Sequence, residues 1–179
     1  MKTKWIEYFM TIAKVVAKNS TCRQHVGAVI VNRKNKTIIA TGYNGAPSGI
    51  TSCKEKGYCF RERNNVPSGS DYTNKCISIH AEQNALLQCG LAAANDSIVF
   101  VYGHNMVCNM CKRFLIQAKV NTVYLQKDKH TEVEHIPYFR MFTELEHMLT
   151  KQNIELTNVP IEQINSFCKK IDEEDSEED

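Results

Sequence analysis

Residues 97–111 read Ser97-Ile98-Val99-Phe100-Val101-Tyr102-Gly103-His104-Asn105-Met106-Val107-Cys108-Asn109-Met110-Cys111. The first six form an apolar run that reads as a strand. Gly103 ends that run, and the chain then reaches two cysteines with the two-residue spacer that lets both sulfurs bind one metal ion. Phe114, Leu115 and Ala118 follow at helical spacing, so the cysteines stand at a helix start. A strand that delivers metal ligands to a helix N-terminus is an α/β arrangement.

Working back from Cys108 across the 25 residues Gln83 to Val107, the next group with chemistry is His80-Ala81-Glu82. One histidine and two cysteines are donors that zinc favours, and three protein ligands leave a tetrahedral position open for water. If a helix begins near His80, then His80 and Glu82 sit in its first turn, where the positive end of the dipole favours anionic groups. Two helix N-termini then face one zinc. Zinc so held lowers the pKa of its water from about 15.7 to roughly 7, and Glu82 is placed to carry protons without being a ligand. Taken singly, C-x-x-C also fits a redox pair or half a structural knuckle, and H-x-E is common by chance. The two together, in this order at helix starts, point to a catalytic metal site.

The chain has 179 residues, 42% hydrophobic and 23% charged, which suits one soluble globular domain over residues 1–171. Met1 to Lys18 has scattered lysines and no uninterrupted apolar core, so it reads as an amphipathic helix rather than a signal peptide. No run approaches the roughly 18 apolar residues of a membrane span, and the expected compartment is the cytoplasm. Residues 172–179 hold seven of the 20 acidic residues and read as a disordered acidic tail. The remainder carries 22 basic against 13 acidic residues, a balance that suits an anionic ligand such as a phosphate, although a solvated lysine-rich face gives the same count.

Trp5, Tyr8, Phe9, Ile12, Ala13, Val15 and Val16 recur at helical spacing, predicting a helix over 3–18 whose aromatic residues are core rather than a stacking box. His25 to Val31 and Thr37 to Thr41 read as a hairpin across the polar turn 32–36. The loop Gly42-Tyr43-Asn44-Gly45-Ala46-Pro47-Ser48-Gly49 brings exposed amides close to a ligand. Asn44 in its middle offers a donor and an acceptor suited to a sugar hydroxyl. A helix over 80–89 stopping at Gly90, strands at 97–102, 122–125 and 154–156, and helices at 109–119, 138–150 and 161–170 complete the pattern. The expected fold is a three-layer α/β/α sandwich on a mixed central sheet of about five strands. His104 reads as a pocket wall or substrate contact, while His130, His135 and His147 read as surface residues.

Residues 50–76 form an insertion without clear periodicity, containing Cys53, Cys59 and Cys76. A segment this long without regular structure needs something to tie it down. With Cys22 the insertion offers four thiols for a structural zinc, and free buried cysteines are the competing reading. Arg61, Arg63 and Ser68 in the same insertion are candidates for an anion. Cys89 and Cys168 have no assigned role.

These residues resemble the cytidine/deoxycytidylate deaminase superfamily, and within it the deoxycytidylate branch that includes late-competence-type deaminases. Val26-Gly27-Ala28-Val29-Ile30, the Gly42–Gly49 loop, His80-Ala81-Glu82-Gln83-Asn84-Ala85 and Cys108 to Cys111 carry the likeness, over about residues 5–126. The loop points to dCMP, and H-x-E followed by C-x-x-C is the signature of zinc nucleobase deaminases. The resemblance implies that His80, Cys108 and Cys111 bind catalytic zinc, that Glu82 shuttles the proton, and that the backbone of Ala81 meets the base carbonyl. It implies that Asn44 contacts the deoxyribose, with Gly45, Ser48 and their neighbours near the phosphate. Water would attack C4 of cytosine and ammonia would leave, giving dUMP for thymidylate synthesis. It also implies a homo-oligomer, often a hexamer, and regulation by dCTP and dTTP, with Mg2+ accompanying the nucleotide. One departure is Val107, where the family usually has proline.

Two other readings stay open on sequence. A tRNA adenosine deaminase shares the metal chemistry but needs a basic, aromatic face for RNA, and here the basic residues are dispersed, so no nucleic acid partner is expected. A catalytically silent, zinc-stabilised nucleotide-binding module would keep the ligands without needing Glu82.

Overall fold

The computed structural model describes residues 1–67 and 76–150. The expected strand at 154–156, the helix at 161–170, Ser68, Cys168 and the acidic tail lie outside the described residues. The chain divides into two compact units, Met1–Tyr138 and Phe139–Asp179.

The first unit runs α1 (Thr3–Ala17), β1 (Gly27–Asn32), β2 (Ile38–Tyr43), α2 (Cys53–Lys56), α3 (Phe60–Arg63), α4 (Ala81–Ala94), β3 (Ser97–Tyr102), α5 (Asn109–Gln117), β4 (Thr122–Gln126) and β5 (Glu134–Pro137). Its strands make one mixed sheet in the order β2-β1-β3-β4-β5. β1 runs antiparallel to β2 and β3, β4 lies parallel to β3, and β5 closes the far edge antiparallel to β4. Five of six residues are buried in both β1 and β3, in β1 as its continuous apolar run predicts.

Alternate residues of a strand face opposite sides of a sheet, and β1 shows it. Val29 and Val31 join Phe9, Met10 and Ala13 of α1, with Ile98, Phe100 and Tyr124, in one core. Burying each large side chain there contributes roughly 1.5–3 kcal/mol. An aromatic ladder runs through it: Trp5 stacks on Phe9 at 5.7 Å, Phe9 meets Phe100 at 5.2 Å, and Phe100 stacks on Tyr124 at 5.1 Å. Of the α1 aromatics, Phe9 is core and Trp5 packs against it, as their spacing predicts, whereas Tyr8 is exposed. Gly27 permits this packing, because a Cβ there would stand 2.2 Å from the carbonyl oxygen of Ala13. Ala28 and Ile30 point the other way, and α4 lies on that face against Gly42, the register partner of Ala28.

The structure departs from the sequence expectations at three places. Gly90, at φ 76° and ψ 160°, breaks α4 at the expected stop, and a further helical segment that the sequence did not announce runs on to Ala94. The insertion holds two one-turn helices; Ser52 and Glu55 form a reciprocal capping box at the start of α2, and Gly57 ends it in the left-handed conformation. β5 was not foreseen, since a four-residue strand with a glutamate, a histidine and a proline carries little β signal. His135 on β5 is nevertheless partnered: its Nε2 lies 2.7 Å from Thr122 Oγ1 and its ring stacks on Tyr124 at 4.9 Å.

In the second unit, α6 (Tyr138–Thr150) matches the expected helix over 138–150, with an Arg140–Glu144 ion pair at 2.9 Å. No helix among the described residues is long and apolar enough to cross a membrane.

Candidate metal centre and active site

His80 and Cys108 each occupy the N-cap of a helix, α4 and α5 respectively, with extended backbone. His80 is fixed from both sides. Its N–H donates to Gln83 Oε1 at 3.1 Å, and the preceding residue, Ile79, exchanges two backbone hydrogen bonds with Gly45 at 2.8 and 3.1 Å. Gly45 fits there because a Cβ would stand 2.2 Å from Thr21 Oγ1. On the opposite side, β3 delivers the chain through Gly103, at φ 101°, where a Cβ would come within 2.1 Å of the carbonyl oxygen of His25.

The two helix starts bring three donors together. His80 Nδ1 lies 3.3 Å from Cys108 Sγ and 3.4 Å from Cys111 Sγ, and all three donor atoms fall within 4.8 Å of one another. The Cys111 N–H donates to Cys108 Sγ at 3.3 Å, an orphan helix N–H turned on a sulfur. The Cys108 thiol is pulled down to about 4, first by the hydrogen bond from the Cys111 thiol and further by His80. Cys111 is pushed up because its proton is held in that bond and because it is buried. The same Cys108 contact raises His80. Two sulfurs sharing one proton beside an imidazole nitrogen form a donor set whose proton a zinc ion would replace, so the residues fit this metal.

Glu82, 5% exposed, sits in the first turn of α4 beside the ligands. Burial raises its pKa, and the neighbouring His80 charge opposes the rise. It is a carboxyl group able to hold a proton inside a closed site.

His80, Glu82 and Cys108 open onto a cavity of about 310 Å³ that is also lined by Asn44, Ala81 and His104. The structure therefore gathers these six of the sequence candidates around one space. Ala81 is the first residue of α4, where an N–H has no acceptor within its own helix. His104 Nδ1 lies 3.2 Å from the Met106 N–H. Asn44 is mostly committed to the fold: Oδ1 accepts from Val26 N–H at 2.8 Å and from Ser20 Oγ at 2.7 Å, while Nδ2 donates to the Gln24 carbonyl at 2.6 Å. Among the described residues, one amide hydrogen is left over. Gly45 lies behind Asn44 and Ser48 is exposed; neither lines the cavity.

Arg61 lines the cavity, as does Arg23, which sequence reasoning missed although it adjoins Cys22. Arg61 also donates to the Pro67 carbonyl at 2.8 Å, and Arg23 pairs with Glu62 at 2.9 Å. Arg63 instead covers the Tyr58 ring at 4.7 Å and does not line the cavity. Cys22, Cys59 and Cys76 share the same wall as Arg61, with Cys53 buried nearby. Val107 is 2% exposed, packed between the strand and the metal ligands.

A family model described as the cytidine and deoxycytidylate deaminase zinc-binding region matches residues 3–127. The deoxycytidylate deaminase of Mycobacterium phage D29 is 36% identical over 129 residues, covering 69% of this chain and 95% of that protein. The deoxycytidylate deaminase of Schizosaccharomyces pombe is 35% identical over 135 residues, covering 73% of this chain; the match spans 40% of that relative's length. Among solved structures, the dCMP deaminase of cyanophage S-TIM5 in its apo form shares the fold, with a TM-score of 0.51 at 24% identity over 83% of this chain and 94% of that one.

Proposed function

The chain belongs to the cytidine and deoxycytidylate deaminase family, and on that premise we propose that it hydrolyses dCMP to dUMP and ammonia, supplying dUMP for thymidylate synthesis. The observation that carries this reading is the convergence of His80, Cys108 and Cys111 with buried Glu82 on one cavity whose wall also holds Arg61.

A zinc ion bound by His80, Cys108 and Cys111 supplies a water acidified enough to act as nucleophile near neutral pH. The chain's own residues do the rest. The Ala81 N–H donates to the base carbonyl and turns C4 toward Glu82. Glu82 takes a proton from the attacking water and passes it to the pyrimidine ring nitrogen. As the C4–N bond breaks, Glu82 moves the second proton to the exocyclic amine, which leaves as ammonia, and C4 becomes a carbonyl. His104 forms part of the wall that excludes bulk water. The remaining Asn44 amide hydrogen is offered to a deoxyribose hydroxyl. Arg61 and Arg23 supply the positive charge that a 5′-phosphate requires. That role falls to the insertion and to the segment before β1, not to Ser48.

The proposal extends to assembly and compartment. Leu87 and Leu91 of α4 and Met110 and Phe114 of α5 are exposed, Leu87 by 72%, and such residues suit a homo-oligomeric contact. The reaction belongs with the nucleotide pool of the cytoplasm.

The test is ammonia release by zinc-loaded protein given dCMP, deoxycytidine, CMP and dCTP in parallel. Selective turnover of dCMP is expected. No turnover of any of the four, from folded protein with its metal bound, would remove the proposal.

A further inference from the structure

We propose that Ser20 is a positioning residue for the sugar: its buried hydroxyl holds the Asn44 amide so that the cavity presents an N–H donor and no acceptor there. The site thereby selects a nucleotide that keeps an oxygen at the 3′ position. Resting on the nucleotide reading above, this adds a residue to it and the sugar atom that the residue governs.

Ser20 is 1% exposed and does not itself line the cavity. Its Oγ stands 2.7 Å from Asn44 Oδ1 and 2.8 Å from the Asn44 carbonyl oxygen, while the Cys22 N–H donates to it at 3.1 Å. The Gln24 and Cys22 carbonyl oxygens are farther off, at 3.3 and 3.5 Å. A hydroxyl has one proton to give, and both of its nearest acceptors belong to Asn44, Oδ1 being the nearer. Ser20 thus donates to Asn44 and accepts from Cys22, tying the end of β2 to the cavity-lining segment 22–24. Its own N–H donates to the Ala17 carbonyl at 3.1 Å, which anchors the junction on the end of α1.

This junction decides what Asn44 can offer a ligand. An asparagine amide can be turned over, exchanging its oxygen and nitrogen. Here the turned form would set Nδ2 against the Val26 N–H and Oδ1 against the Gln24 carbonyl, donor facing donor and acceptor facing acceptor. In the orientation kept, Oδ1 takes hydrogen bonds from both Ser20 and Val26, so its two lone pairs are used inside the protein. Asn44 therefore meets a ligand as a donor. A deoxyribose phosphorylated at its 5′ oxygen has one free hydroxyl, at C3′, whose oxygen accepts such a bond. Without the Ser20 hydroxyl, one Oδ1 lone pair is released, the Cys22 N–H loses its acceptor, and the amide loses the contact that holds it from the side opposite the cavity.

The experiment measures, by calorimetry, the affinity of the zinc-loaded full-length chain for dUMP, the product, and for 2′,3′-dideoxyuridine 5′-monophosphate, which lacks the 3′ oxygen. The unmodified protein should prefer dUMP by about threefold to tenfold. Ser20→Ala should bring that ratio to about one, and with dCMP it should raise KM by the same factor while kcat is retained. A Ser20→Ala protein that is less stable but keeps the preference would overturn the proposal, since a serine with a purely structural role gives that result. Equal affinities in the unmodified protein, or binding of neither nucleotide, would overturn it as well. If Ser20→Ala does not fold, Ser20→Cys decides, because a thiol of similar shape is a weaker donor: the preference should shrink, and an unchanged preference would refute the role. Binding is read without turnover, so the two readings can fail separately. A 3′-dependent affinity in a chain that releases no ammonia removes only the deamination reading, and turnover indifferent to the 3′ oxygen removes only this one.

Discussion

Gly42 of β2 and Ala85 of α4 lie so close that a Cβ on Gly42 would stand 2.4 Å from the Ala85 amide nitrogen and 2.3 Å from the Ala81 carbonyl oxygen. The helix that carries His80, Ala81 and Glu82 is therefore seated by the absence of a side chain on the sheet. Gly42→Ala should destabilise the protein by about 1 to 3 kcal/mol and lower zinc content, because α4 must lift away from β2. Gly49→Ala is the contrast: it has φ 82° but nothing within 4 Å, so it should cost about 1 kcal/mol with zinc unchanged. Denaturant unfolding and metal analysis read both; a Gly42→Ala protein with normal zinc and stability would refute this seating.

Glu82→Gln keeps the shape of a buried side chain but cannot accept and return protons. Turnover of dCMP should fall by about 10² to 10⁴, with one zinc still on His80, Cys108 and Cys111. Parallel kinetics and metal counts check it. Near-normal turnover would remove Glu82 from the chemistry.

Asn44→Ala strips the Val26 N–H and the Gln24 carbonyl of buried partners. The loss should be on the order of 3 kcal/mol, visible in the denaturant midpoint, together with a raised KM. A raised KM at unchanged stability would mean that Asn44 serves the substrate alone.

His135 links pH to the sheet edge. Burial, and then the charge of the N-terminal amine, lower its pKa from 6.5, so the fold favours the neutral ring. The stabilisation is fully present above the unfolded pKa near 6.5 and is lost as pH falls through the folded value. Imidazole proton chemical shifts should show His135 titrating below 6.5. Thr122→Val, which removes the hydroxyl 2.7 Å from Nε2, should cost about 1 kcal/mol. A His135 titration at or above 6.5 would contradict this account.

Val107 makes no backbone N–H hydrogen bond among those of the described residues, so proline at this position removes no donor that the fold uses. Val107→Pro should leave stability within about 1 kcal/mol and retain turnover, measured by thermal unfolding and steady-state kinetics. Loss of zinc in this variant would show that valine is required for the ligands to converge.

Much of the centre was legible in the sequence because its signals are local. C-x-x-C before an apolar helical run, and H-x-E before another, specify ligand types at helix N-termini, and the apolar run 97–102 reads as a strand. Gly90 does break its helix, but a glycine within a helix pattern does not reveal whether a helix resumes beyond it. β5 was missed because Glu134-His135-Ile136-Pro137 gains its strand character from pairing with Thr122 to Leu125, not from its own propensity.

By itself the sequence determined the periodicities that make α1, β1, β3 and α5, and the identity of the metal donors, because each rests on residues within a few positions of one another. Only the tertiary structure decided that Asn44 spends most of its hydrogen bonds on Ser20, Gln24 and Val26, that Ser48 stands outside the cavity, and that Arg23 and Arg61 line it while Arg63 turns to Tyr58. Those outcomes depend on which distant segments share a space. That is set by close approaches at glycines such as Gly42 and Gly45, which no local pattern encodes.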